Sequence, residues 1–237
     1  AHGSEMFGGL VPCALCLVER WPYRAAAAIA LGMPRIAITD HLDFDPRELG
    51  ATMAPHRRRV EAVEQLRREF GDRVEILLGV EISYERRYEE EIRAHLQTNR
   101  YDLTIGSVHP GMDSPFRRSQ AATWEGSPAA ATAPYFDEVR MGIESGLFDI
   151  VGHLDYVRKY VYPHIPTESF AATPELYEPV LKALVETGTA LEINSSGWRQ
   201  RTGLPYPLPQ AVERYRALGG TFVVAGSDSH RPEWFAL

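Results

Sequence analysis

Six apolar runs in the sequence are each followed at once by side chains that bind metals, move protons or hold anions. Asp40 and His41 follow RIAIT, Glu81 follows EILLGV and His109 follows LTIGSV. His153 and Asp155 come after FDIVG, Asn194 and Arg199 after TALEI, and Asp228 and His230 after TFVVAGS. Taken singly, each has an ordinary role: Asp40 can cap a helix, Glu81 can be a surface charge, and a lone histidine is usually a satisfied polar group. Repetition changes the reading. Four of the histidines and at least two carboxylates, with no cysteine among them, make a nitrogen and oxygen donor set suited to zinc, manganese or iron, with enough donors for more than one ion. Ions held in this way activate water and neutralise charge on a substrate oxygen. His2, His56, His95 and His164 have no such placement, and His56 and His95 fall in helical runs among charges, which predicts solvated side chains.

For the six sets to act together, the chain must bring them to one place. The runs at 35–39, 75–80, 103–108, 148–152, 189–193 and 221–224 read as strands, the last as a short buried one (TFVV). Between them lie helical patterns at 55–70, 87–97, 135–145, 174–186 and 209–218, preceded by one at 25–31 that Gly32 and Pro34 terminate. Residues 110–133 are rich in Gly, Ser, Pro, Ala and Thr and predict a long loop, and a second loop carries Arg158, Lys159 and Pro163. Alternating strands and helices imply a parallel sheet. Because ligand-type residues follow nearly every strand, a barrel fits better than an open doubly wound sheet, which would gather them at one switch point. All strands of a parallel barrel point the same way, so these residues share one rim.

Bulk properties limit the classes of function. A chain of 237 residues with 44% hydrophobic and 24% charged residues is ordinary globular material, long enough for one α/β domain. A net charge of −7 and the absence of a basic stripe argue against nucleic acid as a partner. Glu19, Arg20 and Arg24 interrupt the only candidate membrane span, and no basic leader precedes it, so a soluble, cytoplasmic protein is expected. Cys13 and Cys16 are the only cysteines, which excludes a disulfide framework and a thiolate zinc cluster.

Thr39-Asp40-His41, Gly79-Val80-Glu81, Gly106-Ser107-Val108-His109, Gly152-His153-Leu154-Asp155 and Gly226-Ser227-Asp228-Ser229-His230 resemble the later motifs of the polymerase-and-histidinol-phosphatase (PHP) superfamily, nearest its histidinol-phosphatase branch, over about residues 25–235. The resemblance implies a distorted (β/α)7 barrel that hydrolyses small-molecule phosphate esters at a metal centre. His41, Glu81, His109, His153, Asp228 and His230 would be the metal ligands, with Glu81 bridging two ions. Barrier lowering in phosphoryl hydrolysis is mostly positioning and electrostatics, so a cationic clamp is expected, with Arg199 first and Arg158 or Lys159 second. The sequence departs from the family at two points. No His-x-His, which ends the family's first strand, occurs in the 237 residues, and the chain stops seven residues after His230. These departures predict a barrel lacking its usual first strand and last helix, an uptake of fewer than the family's three divalent ions, and activity that is weak or absent. The site of Glu81, His109 and His153 would be complete, whereas the one served by His-x-His would keep Glu81 and Asp228.

Residues 1–31 differ in character from the rest of the chain. Pro12-Cys13-Ala14-Leu15-Cys16 and Arg20-Trp21-Pro22-Tyr23 resemble the start of the disulfide-bond formation protein B family. That resemblance implies a redox role for Cys13 and Cys16, although the membrane bundle of that family is missing. The expected organisation is an atypical segment 1–31 followed by a phosphoesterase barrel at 32–237. The rival readings are a thiol–disulfide oxidoreductase and a barrel that binds without catalysing.

Overall fold

The computed structural model of the chain describes residues 21–48, 54–111, 114, 129–162, 164–229 and 234–235. Cys13, Cys16 and His230 lie outside these residues, as does most of the stretch 110–133. Six strands pair in sequence order, every pair parallel: β1 (Arg35–Leu42), β2 (Glu75–Ser83), β3 (Leu103–Ser107), β4 (Ile150–Val151), β5 (Ala190–Asn194) and β6 (Val223–Gly226). A sequential order has no switch point, so the sheet can curl. It does so: Ala37 of β1 and Val224 of β6, from opposite ends of the sheet, belong to one apolar cluster with Leu103, Ile105 and Ile150. The result is a half-barrel with an apolar floor, above which the inner face turns polar.

Helices α1 (Trp21–Ala30), α2 (His56–Phe70), α3 (Glu89–Thr98), α4 (Ala133–Glu144), α7 (Glu178–Thr187) and α8 (Pro209–Ala217) cover the sheet, with short helices α5 (Val157–Val161) and α6 (Thr167–Ala171) after β4. Each buries one stripe, as in α2, where Val63, Leu66 and Phe70 face inward and charged residues cover the rest. Two apolar clusters fill the space outside the sheet. One joins α1 and α2 to β1 and β2, with Trp21, Ala25 and Ala28 packed on Ile36 and Ile38, which ties residues 21–30 to the barrel. The other lies under α4, α7 and α8.

Several expectations shift. Strands β1 and β2 run past Thr39 and Val80, so Asp40, His41 and Glu81 are strand residues, and His41 lies opposite Glu81 in register. Helix α1 begins at Trp21 rather than 25, because the buried indole packs with its apolar face. The helix expected over 174–186 is divided, with a 3-10 turn at Pro174–Leu176 and α7 starting at Glu178; Pro179 has no N–H to give and so stands in the first turn. TFVV is not buried: Phe222 is 62% and Val223 45% exposed, because β6 ends the sheet and pairs only with β5 among the described residues. His56 and His95 are half-buried instead of solvated, since both pack against Tyr101. No helix among the described residues is long and apolar enough to cross a membrane.

Candidate metal centre

Strand geometry brings Glu81, His109 and His153 together from three neighbouring strand ends. Glu81 Oε1 lies 3.1 Å from His153 Nε2 and 3.8 Å from His109 Nε2, and the two imidazole nitrogens are 3.2 Å apart. A tetrahedral ion with bonds of about 2.0–2.1 Å holds its donors about 3.3 Å apart, so these three atoms match one face of such a polyhedron. His41, on β1 opposite Glu81, directs Nε2 toward the other carboxylate oxygen, Oε2, at 3.9 Å. Glu81, His41 and His153 are almost wholly buried.

The donor chemistry fits a cation. Glu81 Oε2 and His153 Nδ1 are buried polar atoms with no hydrogen-bond partner among the described residues. Leaving such groups without a partner is costly, and a bound ion at Glu81 would remove that cost for the carboxylate. Glu192 adds a further buried carboxylate below the rim; its Oε2 accepts from the His153 backbone N–H at 2.7 Å and from Asn194 Nδ2 at 3.1 Å. Burial pushes the Glu192 carboxyl up to about 7. At His153 burial opposes a positive charge, but the Glu81 hydrogen bond and the charges of Glu81, Glu192 and Asp228 outweigh it and raise the imidazole pKa. The inner rim therefore carries excess negative potential, which favours a divalent cation.

Neighbouring hydroxyls and glycines shape the site. Ser107 Oγ donates to Glu81 Oε1 at 2.7 Å, and Ser83 Oγ pairs with His109 Nδ1 at 2.9 Å. The His153 ring stacks on Tyr156 with centroids 4.1 Å apart. Two glycines leave the room these groups need. A Cβ at Gly152 would stand 2.3 Å from Ser107 Oγ, and one at Gly226 would stand 1.9 Å from Glu192 Oε1.

The other candidates from the sequence fall in different places. Asp228 is buried after β6 with φ +43°, a left-handed conformation that aspartate tolerates, but its carboxylate joins neither close group of donor atoms. Arg199 donates to the Ser227 carbonyl and approaches that of Asp228 at 3.5 Å, so its guanidinium stands beside the β6 rim. Arg158 is buried, paired through Nε with Asp155 Oδ2 at 2.8 Å and bonded to the Pro205 carbonyl, and its Nη1 has no partner among the described residues. Asp155 is an interior anchor for Arg158, the Tyr177 hydroxyl and the Leu208 N–H. Asn194 caps the 3-10 turn Ser195–Arg199 through Ser196 N. Asp40 points away from His41, toward Arg59 and Arg24 of the covering helices, and burial raises its pKa against their charges.

Sequence reasoning missed Asp43, Ser83, Ser107 and Glu192. A signal was present, because side chains two apart on a strand share a face. Ser83 is two from Glu81, Ser107 two from His109, and Glu192 two from Asn194. Asp43 lies just past β1, with Oδ1 3.4 Å from His41 Nδ1, and His41, Asp43 and His109 form a second close group of potential donors.

A curled parallel half-barrel with imidazoles and a carboxylate at its C-terminal rim defines a metal-dependent hydrolase of barrel type. The sequence profile of the PHP domain matches residues 23–196. The probable histidinol-phosphatase of Deinococcus radiodurans is 30% identical over 219 residues, which span 88% of this chain and 79% of that protein. The histidinol-phosphatase of Lactococcus lactis is 27% identical over 218 residues, 89% of this chain and 78% of that one. Its crystal structure, with zinc, L-histidinol and phosphate, superposes with a TM-score of 0.74 at 26% identity, covering 89% of this chain and 80% of that one. A Listeria monocytogenes structure at 20% identity shares the fold, with a TM-score of 0.77 and 90% of each chain covered. The chain belongs to the PHP domain family. Within it, the chain is a metal-dependent phosphatase of the histidinol-phosphatase type. The resemblance of residues 1–31 to the disulfide-bond formation protein B family gains no support from these comparisons, and the match to the PHP profile begins at residue 23.

Proposed function

We propose that the chain hydrolyses the phosphomonoester of histidinol phosphate, a step of histidine biosynthesis, at a centre built on Glu81. The observation that carries this reading is the triangle of Glu81 Oε1, His109 Nε2 and His153 Nε2, with sides of 3.1, 3.2 and 3.8 Å, in a chain similar to a phosphatase crystallised with zinc, L-histidinol and phosphate. Glu81, His109 and His153 would hold one divalent ion, Glu81 and Asp228 would keep part of a second site, and His41, with Nε2 3.9 Å from Glu81 Oε2, is a further candidate ligand. Asp228, buried after β6, would serve that side of the rim, and His230, which lies outside the described residues, is a candidate ligand by its sequence motif alone. With no His-x-His in the 237 residues, fewer than three ions and weakened activity are expected.

When bound, divalent ions supply Lewis acidity that lowers the pKa of water and draws charge from phosphoryl oxygens. The chain's own side chains orient and screen. Arg199, beside the β6 rim, holds a phosphoryl oxygen as a fork of N–H donors. Arg158 is the second choice, through Nη1. Ser107 keeps Glu81 Oε1 directed at the imidazoles, and the stacked Tyr156 restricts the His153 ring and keeps water from its face.

The test is phosphate release from histidinol phosphate and from an aryl phosphate, with and without added zinc or manganese. Metal-dependent release from histidinol phosphate is expected, with the aryl ester a poorer substrate. Absence of release under every condition defeats the reading, and elemental analysis returning three tightly held ions per chain defeats the metal count.

A further inference from the structure

Strands β4 and β5 pair over two residues, Ile150 with Ala190 and Val151 with Leu191, and then part. Beyond that point the Gly152 N–H goes to the Gly106 carbonyl of β3 at 2.9 Å, and the end of β5 pairs with Tyr206 through both main-chain groups of Asn194, at 2.8 and 3.0 Å. The next N–H, that of His153, is taken by a side chain: Glu192 Oε2 accepts it at 2.7 Å. The same oxygen accepts from Asn194 Nδ2 at 3.1 Å. Asn194 Oδ1 in turn accepts from Ser196 N at 3.0 Å and so holds the start of the turn Ser195–Arg199, whose Arg199 donates to the Ser227 carbonyl. We propose that Glu192 is a positioning residue that sets His153 and the Arg199 turn as one unit, through two hydrogen bonds to a single oxygen, so that ion and phosphoryl group are held in register. This rests on the reading of His153 as a metal ligand and Arg199 as a phosphate-binding group.

The place of Glu192 suits that role. It shares a face of β5 with Ala190 and Asn194, since residues two apart on a strand point the same way. Ala190 packs against the apolar floor of the half-barrel, and Glu192 is 1% exposed. An apolar side chain would meet a packing role at this depth, because a buried carboxylate is costly unless hydrogen bonds compensate it. The bonds at Oε2 act on structure that is otherwise well held. The His153 carbonyl accepts from Tyr156 N at 2.9 Å, so with Glu192 on its N–H the main chain is fixed on both sides of the His153 Cα. The ring, stacked on Tyr156, then directs Nε2 to Glu81 Oε1. Asn194, tied by its main chain to Tyr206, serves as a short rigid spacer between Glu192 and the Arg199 turn.

Two other roles can be asked of a buried carboxylate in this position. As a metal ligand, Glu192 would have to join the converging donor atoms, and it belongs to neither close group among the described residues. As a source of negative potential, it would act by its charge and not by the two bonds it accepts. Replacement by glutamine separates these roles from positioning, since an amide carbonyl can accept both bonds and carries no charge.

The test uses the full chain in two equilibrium dialyses, one against buffered free zinc and one of the zinc-loaded chain against radiolabelled inorganic phosphate. Glu192→Ala is expected to weaken the tightest zinc step by about 10–100-fold and phosphate by about tenfold. Glu192→Gln is expected to recover most of both losses. Asn194→Ala cuts only the branch toward Arg199, so it should weaken phosphate by about tenfold and leave zinc within about twofold of wild type. A Glu192→Gln chain that loses zinc by about tenfold or more overturns the proposal in favour of charge or ligation, a result that can be read even where Glu192→Ala does not fold. Unchanged zinc and phosphate in a folded Glu192→Ala chain overturn it too, as does an Asn194→Ala chain that binds phosphate like wild type. A wild type that binds zinc and phosphate without turning over histidinol phosphate defeats the phosphatase reading and leaves positioning to be decided by the variants. A wild type that takes up no zinc, or no phosphate once loaded, overturns the positioning proposal itself.

Discussion

Among the described residues two histidine clusters stand out, and they are satisfied in opposite ways. At the barrel rim, His109 Nε2 and His153 Nε2 face one another at 3.2 Å with Glu81 Oε1 between them. Between α2, α3 and the following turn, His56 Nε2 meets the Arg100 carbonyl at 2.9 Å, His95 Nε2 the Tyr101 hydroxyl at 3.0 Å, and His95 Nδ1 the Asn99 amide at 3.3 Å. In the second cluster each of these nitrogens has a complementary partner and the rings pack edge-on or stacked with Tyr101, so the group is complete as protein. In the first, nitrogens converge on nitrogens and a carboxylate oxygen is left over, which only a shared proton or a cation resolves. Histidine count does not separate the two clusters. The direction of the ring nitrogens does.

Substitutions can sharpen or break this contrast. Glu81→Gln keeps the shape and removes the charge from the rim cluster. It is expected to lower kcat/KM by at least about 100–1,000-fold and to reduce bound metal while the far-UV spectrum stays native; undiminished metal content would remove the basis of the contrast. Arg199→Met, beside the rim but outside the donor triangle, should cost about 10–100-fold in kcat/KM, the equivalent of about 1.5–3 kcal/mol, with zinc content unchanged. If zinc falls instead, Arg199 supports the donors and does not hold phosphate. His95→Gln tests the complete cluster: activity should stay within about twofold, while thermal unfolding shows a loss of about 1 kcal/mol. The smallest effect is expected far from both clusters, at Glu178, where hydrogen bonds from Arg214 at 2.6 Å lower the carboxyl to about 2. A depressed folded-state pKa contributes stability above the unfolded value of about 4.5 that is lost as pH falls through about 2. Glu178→Gln should therefore melt slightly earlier than wild type at pH 7, with the difference closing in acid.

The sequence showed the rim because strand ends and ligand types coincide, and all six strands with a sequential parallel order followed from the same alternation. What it did not show depends on distant partners. Asp155 was read as a rim residue and Arg158 as a loop cation, yet both are buried with partners from Tyr177, Pro205 and Leu208, and no spacing near residue 155 announces them. The exposure of Phe222 and Val223 was hidden for a related reason: composition gives a strand its apolar character, while its coverage is decided by neighbours. Ser83 and Glu192 were within reach of a strict two-residue face rule applied outward from Glu81 and Asn194.

The contact between Gly226 and Glu192 limits how this site can change over generations. A methyl group at 226 would stand 1.9 Å from Glu192 Oε1, far inside van der Waals contact, and the residue after Ser227 is the buried Asp228. A side chain at 226 therefore requires Glu192 to move its carboxylate away from the His153 N–H and the Asn194 amide, so a change at 226 is expected to be tolerated better beside a smaller residue at 192.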